Sequence, residues 1–285
     1  MKTSSGNRRP RYAILGNRLV VVCLLALLAI AVLSIVGTIA SPYSVEEISF
    51  DQNFEGPSLG GGHWFGTDDL GRDLFVRTLK GTQITFLIAI VATMVSLVIG
   101  VTYGAIAGYF GGKIDAIMMR AVDALYAMPF IFFVILLMVV FERSLTLMFI
   151  AIGAINWLDT ARIVRGQTIS LKQRAFVDAA RMVGVSNFAI IARHIAPNLL
   201  GIVIVYVTLT IPQIILFESF LSFLGLGVQE PQTSLGALVS EGVSRMERAP
   251  WMLLFPASFL AVMLLCLNFL GDGLRDVFDP KSAKA

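Results

Sequence analysis

The chain has 285 residues, of which 56% are hydrophobic and 14% charged, with a formal net charge of +3 and a mean hydropathy of +0.81. A soluble globular domain carries nearer a quarter charged residues, so most of this chain must face something other than water. The charge gives no support to nucleic-acid binding, and Cys23 and Cys266 both lie in apolar runs that suit packing rather than a disulfide framework.

Residues 1–18 form a polar tail with Lys2, Arg8, Arg9, Arg11 and Arg18. Leu19 to Ile39 follows without a charge, long enough for a spanning helix, which needs about 20 residues. Thr38-Ile39-Ala40 could pass as a cleavage site, but the apolar block exceeds the roughly 7–15 residues of a signal core and reads as an uncleaved anchor, 19–40. Residues 41–81 are a loop rich in glycine, acidic residues and aromatics. Further apolar blocks run at Ile84–Ala107, Leu125–Phe141, Leu145–Leu158, Leu199–Phe217 and Trp251–Leu270. The fourth is short, and extends through Asn156 and Trp157 toward Thr160 if those polar groups face a bundle interior. The expectation is an all-α polytopic protein with six transmembrane helices, because only self-satisfied backbones cross hydrocarbon this way. With the N-terminus inside, sixteen Lys and Arg fall on the cytoplasmic side and six outside, which favours N-in and C-in. Residues 82–274 then form the core and 275–285 a cytoplasmic tail.

That orientation puts the polar stretch Arg174 to Gly201 in the cytoplasm. Phe176 to Val183 carries helix formers and ends at Gly184, suited to the left-handed residue that closes a helix. Ser186 can cap a second helix over Asn187 to Ile195, with Phe188, Ile191 and Ile195 on one face. Pro197 stops that helix or opens the next. By itself the stretch could be a solvated connector.

No catalytic set is present. His63 and His194 fall on opposite sides, and HExxH, GxSxG and clustered Cys/His ligands do not occur. A P-loop is missing too, since Gly111-Gly112-Lys113 is followed by Ile114. The chain reads as a non-enzyme without a cofactor or metal site of its own. Gly100, Gly104 and Gly108, continued by Gly112, have the spacing that lets a neighbouring helix approach, with a flexing point as the second reading. Asn156, Asp159, Gln213, Glu218 and Asn268 are costly in lipid and should face the bundle or a pore. Pro212 weakens the fifth span just before Gln213, which fits a substrate path; Glu218 could line it or pair with another helix. Asp68, Asp69 and Asp73 in the run His63 to Asp73 lack EF-hand spacing, and Arg72 could pair with them locally.

The order Asp178-Ala179-Ala180, Gly184, His194-Ile195-Ala196-Pro197-Asn198 resembles the EAA loop of ABC-importer permeases, in the peptide and nickel branch. Asp178 replaces the family Glu and Ala196 the family Leu. Gly66 to Asp73, Gly111-Gly112 with Asp115, Leu221 to Gly227, Gly271 to Asp276 and Asp279-Pro280 resemble further elements of the C-type permeases in the same order. Asp159 to Thr168 and Gly227 to Pro231 look most like the oligopeptide branch. The resemblance implies the transmembrane domain of a type I ABC importer in a bacterial inner membrane, importing peptides. It implies a second homologous permease, two cytoplasmic ATPases that bind ATP and Mg, and an extracytoplasmic peptide-binding protein. Residues 174–201 would then hold a cytoplasmic coupling helix. Its ATPase-coupling residues would be Asp178, Ala179, Ala180, Arg181, Gly184, Phe188, Ile191, Arg193, His194 and Pro197, and Asn156, Asp159, Gln213 and Glu218 would be pathway candidates. Dipeptides, nickel or another small solute are alternative cargoes. An ion-driven secondary transporter would show inverted repeats, and the halves 19–141 and 145–270 share no motifs.

Overall fold

A computed structural model describes residues 17–58, 60, 62–141 and 145–278. Most of the N-terminal basic tail, Arg143, and Asp279-Pro280 with the tail beyond lie outside the described residues. The described residues are helical apart from connecting segments and a single antiparallel bridge between Thr67 and Asp73. The helices are α1 (Arg18–Ala40), α2 (Leu74–Phe110), α3 (Gly112–Ala127), α4 (Phe130–Val140), α5 (Leu145–Leu171), α6 (Ala175–Met182), α7 (Asn187–Ile190), α8 (Ala196–Phe223), α9 (Leu235–Arg245) and α10 (Trp251–Phe278).

Among the described residues four helices are each long and apolar enough to cross a membrane: α1, α2, α7 continued into α8, and α10. Two bent stretches bring the number to six if each is one span. One is α3 with α4, bent by 77° at Met128-Pro129, and the other is α5, bent by 41°. A proline disfavours α-helical geometry in the residue before it, and Met128 is extended, which ends α3 there.

Contacts divide the chain into two units, Met1–Gln83 with Thr233–Ala285, and Ile84–Gln232, so that α2 begins in one and ends in the other. In the first, α1 packs on α10 where a side chain at Gly273 would run into Val20, and the buried free thiols of Cys23 and Cys266 meet one another. Gln83 ties α2 to α1 by donating from Nε2 to the carbonyl of Ser34 at 2.5 Å and to Thr38 Oγ1 at 3.1 Å. The amphipathic α9 is capped by Ser234, whose Oγ accepts from Ala237 N at 3.1 Å. It crosses α10 at Gly242, where a Cβ would lie 2.6 Å from the Leu253 backbone.

The segment before α2 is held by buried charge. Asp68 accepts from Arg72 Nε at 2.6 Å and from Arg77 at 2.5 Å, and Arg77 reaches on to Glu241 of α9 at 3.0 Å. Asp73 Oδ1 accepts from Val76 N at 2.8 Å and starts α2, while its other oxygen accepts from His63 Nδ1 at 2.8 Å. Trp251 Nε1 donates to the carbonyl of Thr67 at 3.1 Å, and Phe65 stacks on Phe255 at 4.0 Å between ring centres. The acidic run His63 to Asp73 is therefore occupied by His63 and Arg72 within it and by Arg77 and Arg245 beyond it. No group of acidic, His or Cys residues suited to a metal ion occurs among the described residues.

In the second unit α5 lies between α2 and α8. A Cβ at Gly100 would stand 2.5 Å from Thr160 Cβ, at Gly104 2.3 Å from the carbonyl of Ala161, and at Gly108 2.7 Å from the carbonyl of Arg165. Three successive turns of α2 thus rest on the backbone of α5, an approach only glycine permits. Gly112, the fourth of the series, meets nothing and opens α3 with φ +55°.

Candidate functional site

The polar stretch after α5 is a pair of short helices around a bend. α6 ends in a Schellman arrangement: Gly184 N donates to Arg181 O at 3.0 Å and Val185 N to Ala180 O at 3.1 Å, with Gly184 at φ +84°. Ser186 then caps α7 through Ala189 N at 3.4 Å. The second helix does not stop at Pro197. Residues Ile191–Ile195 form a π turn, in which Ala196 N reaches the carbonyl of Ile191, and the chain continues directly into α8. A proline in a regular helix clashes with the carbonyl four residues back; the wider turn before Pro197 removes that conflict. Asn198 Nδ2 donates to the carbonyl of His194 at 2.6 Å, occupying an acceptor at the turn.

These helices are anchored by one face. Val177, Ala180, Ile190 and Ile195 are buried with Ala105 and Tyr109 of α2, Val164 of α5, and Leu199 and Val203 of α8. Ile191 is half-buried against that cluster, whereas Phe188 is 69% exposed. The opposite face carries Met182 and Val183, 88% and 83% exposed, which the sequence pattern did not single out because they sit at a helix end. Asp178, Ala179 and Pro197 are exposed, Ala180 is buried, and His194 is half-buried. Asp178 pairs with Arg181 at 3.3 Å, an exposed contact worth at most about 1 kcal/mol. The hydrogen bond to the Tyr109 hydroxyl, and after it the charge of Asp178, raise the Arg181 guanidinium above its already high ordinary pKa. Arg193 is exposed and has no ion pair among the described residues.

The four pathway candidates are not gathered into one site. Asn156 is half-buried and turns back on its own helix, Nδ2 to the carbonyl of Ile152 at 3.0 Å. Asp159 is exposed and accepts from the Tyr126 hydroxyl. Gln213 is exposed beside the buried Pro212. Glu218 is fully buried, and Ser222 Oγ donates to it from the next turn at 2.9 Å. Asn268 is exposed and bonds back to the carbonyl of Leu264 at 2.8 Å. Sequence reasoning missed the polar contacts joining α3 to α5: Arg162 with Asp123 at 2.7 Å, Arg162 over the Tyr126 ring at 4.1 Å, and Arg165 with Asp115 at 2.5 Å. The available signal was Asp159, Arg162 and Arg165 at three-residue spacing, a row on one face of a helix.

Apolar helices of spanning length, with a two-helix polar insertion packed against three of them, define a multi-pass helical membrane protein. The chain belongs to the family of binding-protein-dependent transport system inner membrane components, whose model matches residues 100–284. It is 52% identical to the oligopeptide transport system permease protein OppC of Haemophilus influenzae, over 93% of this chain and 85% of that protein. Identity to OppC of Escherichia coli K12 is 50%, over 95% and 90%. The dipeptide transport system permease protein DppC of Bacillus subtilis is 42% identical over 93% and 82%. Among solved structures, an inward-facing form of the MetNI methionine ABC transporter shares the fold, with a TM-score of 0.57 at 18% identity, covering 72% of this chain and 96% of that one.

Proposed function

We propose that this chain is the membrane-spanning permease subunit of an ATP-driven importer of oligopeptides, with six spans and both termini in the cytoplasm. The observation that carries the reading is the exposed apolar cap of Met182, Val183 and Phe188 on two helices whose other face is locked into the bundle. Exposed apolar side chains on a rigid support suit a partner's groove. The partner is one of two cytoplasmic ATPases, which bind the ATP and Mg. Arg181 and Arg193 flank the cap and steer acidic groove residues toward it. Gly184 sets the angle between the arms, and Asp178, Ala179, Ala180, His194, Ile191 and Pro197 maintain it. When the ATPases close, the segment moves as a body and the spans pass from inward-facing to outward-facing. An extracytoplasmic binding protein delivers the peptide, and a second homologous permease completes the pathway. Gln213 and Asp159, both exposed on apolar helices, are the pathway residues this arrangement favours. The 42% identity to a dipeptide permease keeps dipeptides as a second cargo.

The test is Met182→Asp in the full complex. The ATPases should then fail to co-purify with the permease, and uptake of a labelled tripeptide should be lost. Retention of both would overturn the assignment. Cysteines introduced at Glu46 and Met182 report orientation, since Cys23 and Cys266 are buried. An impermeant maleimide should label Glu46→Cys from outside and Met182→Cys only from inside.

A further inference from the structure

We propose that Tyr109 is a positioning residue that fastens both arms of the coupling segment to the end of α2, so that the segment and this helix move together. The inference rests on the coupling role given above to α6 and α7.

Tyr109 is the penultimate residue of α2 and its ring is 5% exposed. Its hydroxyl donates to Asn187 Oδ1, the first residue of α7, at 2.9 Å. The same oxygen accepts from Arg181 Nε of α6 at 3.4 Å, and the Arg181 guanidinium lies 5.2 Å from the ring centre. One side chain therefore holds a residue on each side of the Gly184 bend. The bond to Asn187 is the firmer, at ordinary length; the one to Arg181 is long and is supplemented by the ring. A third tie comes from the start of the segment: Lys172 Nζ donates to the carbonyls of Gly108 at 2.8 Å and Tyr109 at 3.4 Å, closing the C-terminus of α2. Phe110 adds an edge-on contact with Phe188 at 6.0 Å.

The arms need such a tie. α6 has eight residues, too short to hold a direction unaided, whereas α7 runs on through the π turn into α8 and gives α6 a fixed element to be tied to. Their apolar anchors, Val177, Ala180 and Ile190, resist withdrawal from the core, but apolar contact is non-directional. The Tyr109 hydroxyl supplies direction: it fixes Asn187 relative to Arg181 and both relative to α2. A force applied at Met182 and Phe188 then reaches α2 without first closing or opening the bend.

The experiment uses the complete transporter in proteoliposomes and reads peptide imported per ATP hydrolysed. Tyr109→Phe keeps the ring, its burial and its contact with Arg181, and removes only the hydroxyl. We expect co-purified ATPase unchanged and the transport-to-hydrolysis ratio down by about fivefold or more, the usual scale of a coupling interaction. Asn187→Ala should do the same, Asn187→Asp should restore the ratio because it keeps the acceptor, and Tyr109→Phe with Asn187→Ala should be no worse than either alone. An unchanged ratio in Tyr109→Phe overturns the latch, as does additivity of the two losses. If Tyr109→Phe assembles poorly, the contrast between Asn187→Ala and Asn187→Asp decides: equal ratios in those two overturn it. Met182→Asp separates the two levels. Loss of ATPase there with a silent Tyr109→Phe removes the latch and keeps the docking surface; intact docking in Met182→Asp removes both.

Discussion

Two polar stretches interrupt the apolar helices, and they handle charge in opposite ways. The stretch leading into α2 turns its charges inward: Asp68 is fully buried, Arg77 is 2% exposed, and His63 is bonded to Asp73 out of water. The stretch between α5 and α8 buries aliphatic residues and keeps Asp178, Arg181 and Arg193 in solvent together with Met182, Val183 and Phe188. Burying ions is costly unless each finds a partner of good geometry, and once partnered they hold one arrangement. Exposed ions hold little, and exposed apolar groups gain only when something covers them. The first stretch is fixed by its buried ions; the second is fixed by its buried aliphatic face and presents charge and apolar surface together.

Stability measurements can break that comparison. The largest loss should follow Asp68→Ala, which removes the buried carboxylate shared by Arg72 and Arg77: about 3–5 kcal/mol, read as a lower unfolding temperature of the purified permease. Trp251→Phe, which leaves the Thr67 carbonyl without its indole donor, should cost about 1–3 kcal/mol in the same assay. On the other stretch, Gly184→Val forces a branched residue to φ +84° and should cost about 1–2 kcal/mol, while uptake falls much further than stability because the angle between the arms changes. Asp178→Asn should change stability by less than about 1 kcal/mol, and that small effect should disappear in high salt. A loss at Asp178 as large as that at Asp68 would remove the distinction.

Hydropathy located every long apolar helix but not where each one ends. The block Ile84–Ala107 belongs to a helix that begins at Leu74, because Arg77 and Lys80 continue the helix past the apolar stretch. The block Leu125–Phe141 straddles a break at Pro129 that an apolar average does not register. α9 was not anticipated, since a short amphipathic helix between two spans looks like loop to a hydropathy window. In the segment between α5 and α8, helix, glycine bend and cap were legible because each depends on a local residue type: Gly184, Ser186. The tie through Tyr109 was not, since it joins residues 78 apart in sequence that only the fold brings together. A 3.6-residue period puts Phe188, Ile191 and Ile195 on one face, but the π turn breaks that period beyond Ile191, and burial falls from Ile195 to Ile191 to Phe188.

That turn has a consequence for how the chain can change over time. Ile191–Ile195 contains one residue more than an α-helical turn would use, and each residue in an α-helix advances it by about 100°. Deleting Ala192 would close the wide turn into regular helix, leaving Leu199 and Val203 on the core they share with α6 because the π turn had taken up the extra residue, but would press Pro197 into regular helix. Chain length here is thus as much a property to be conserved as any side chain, and an altered length would have to arise together with a replacement for the proline.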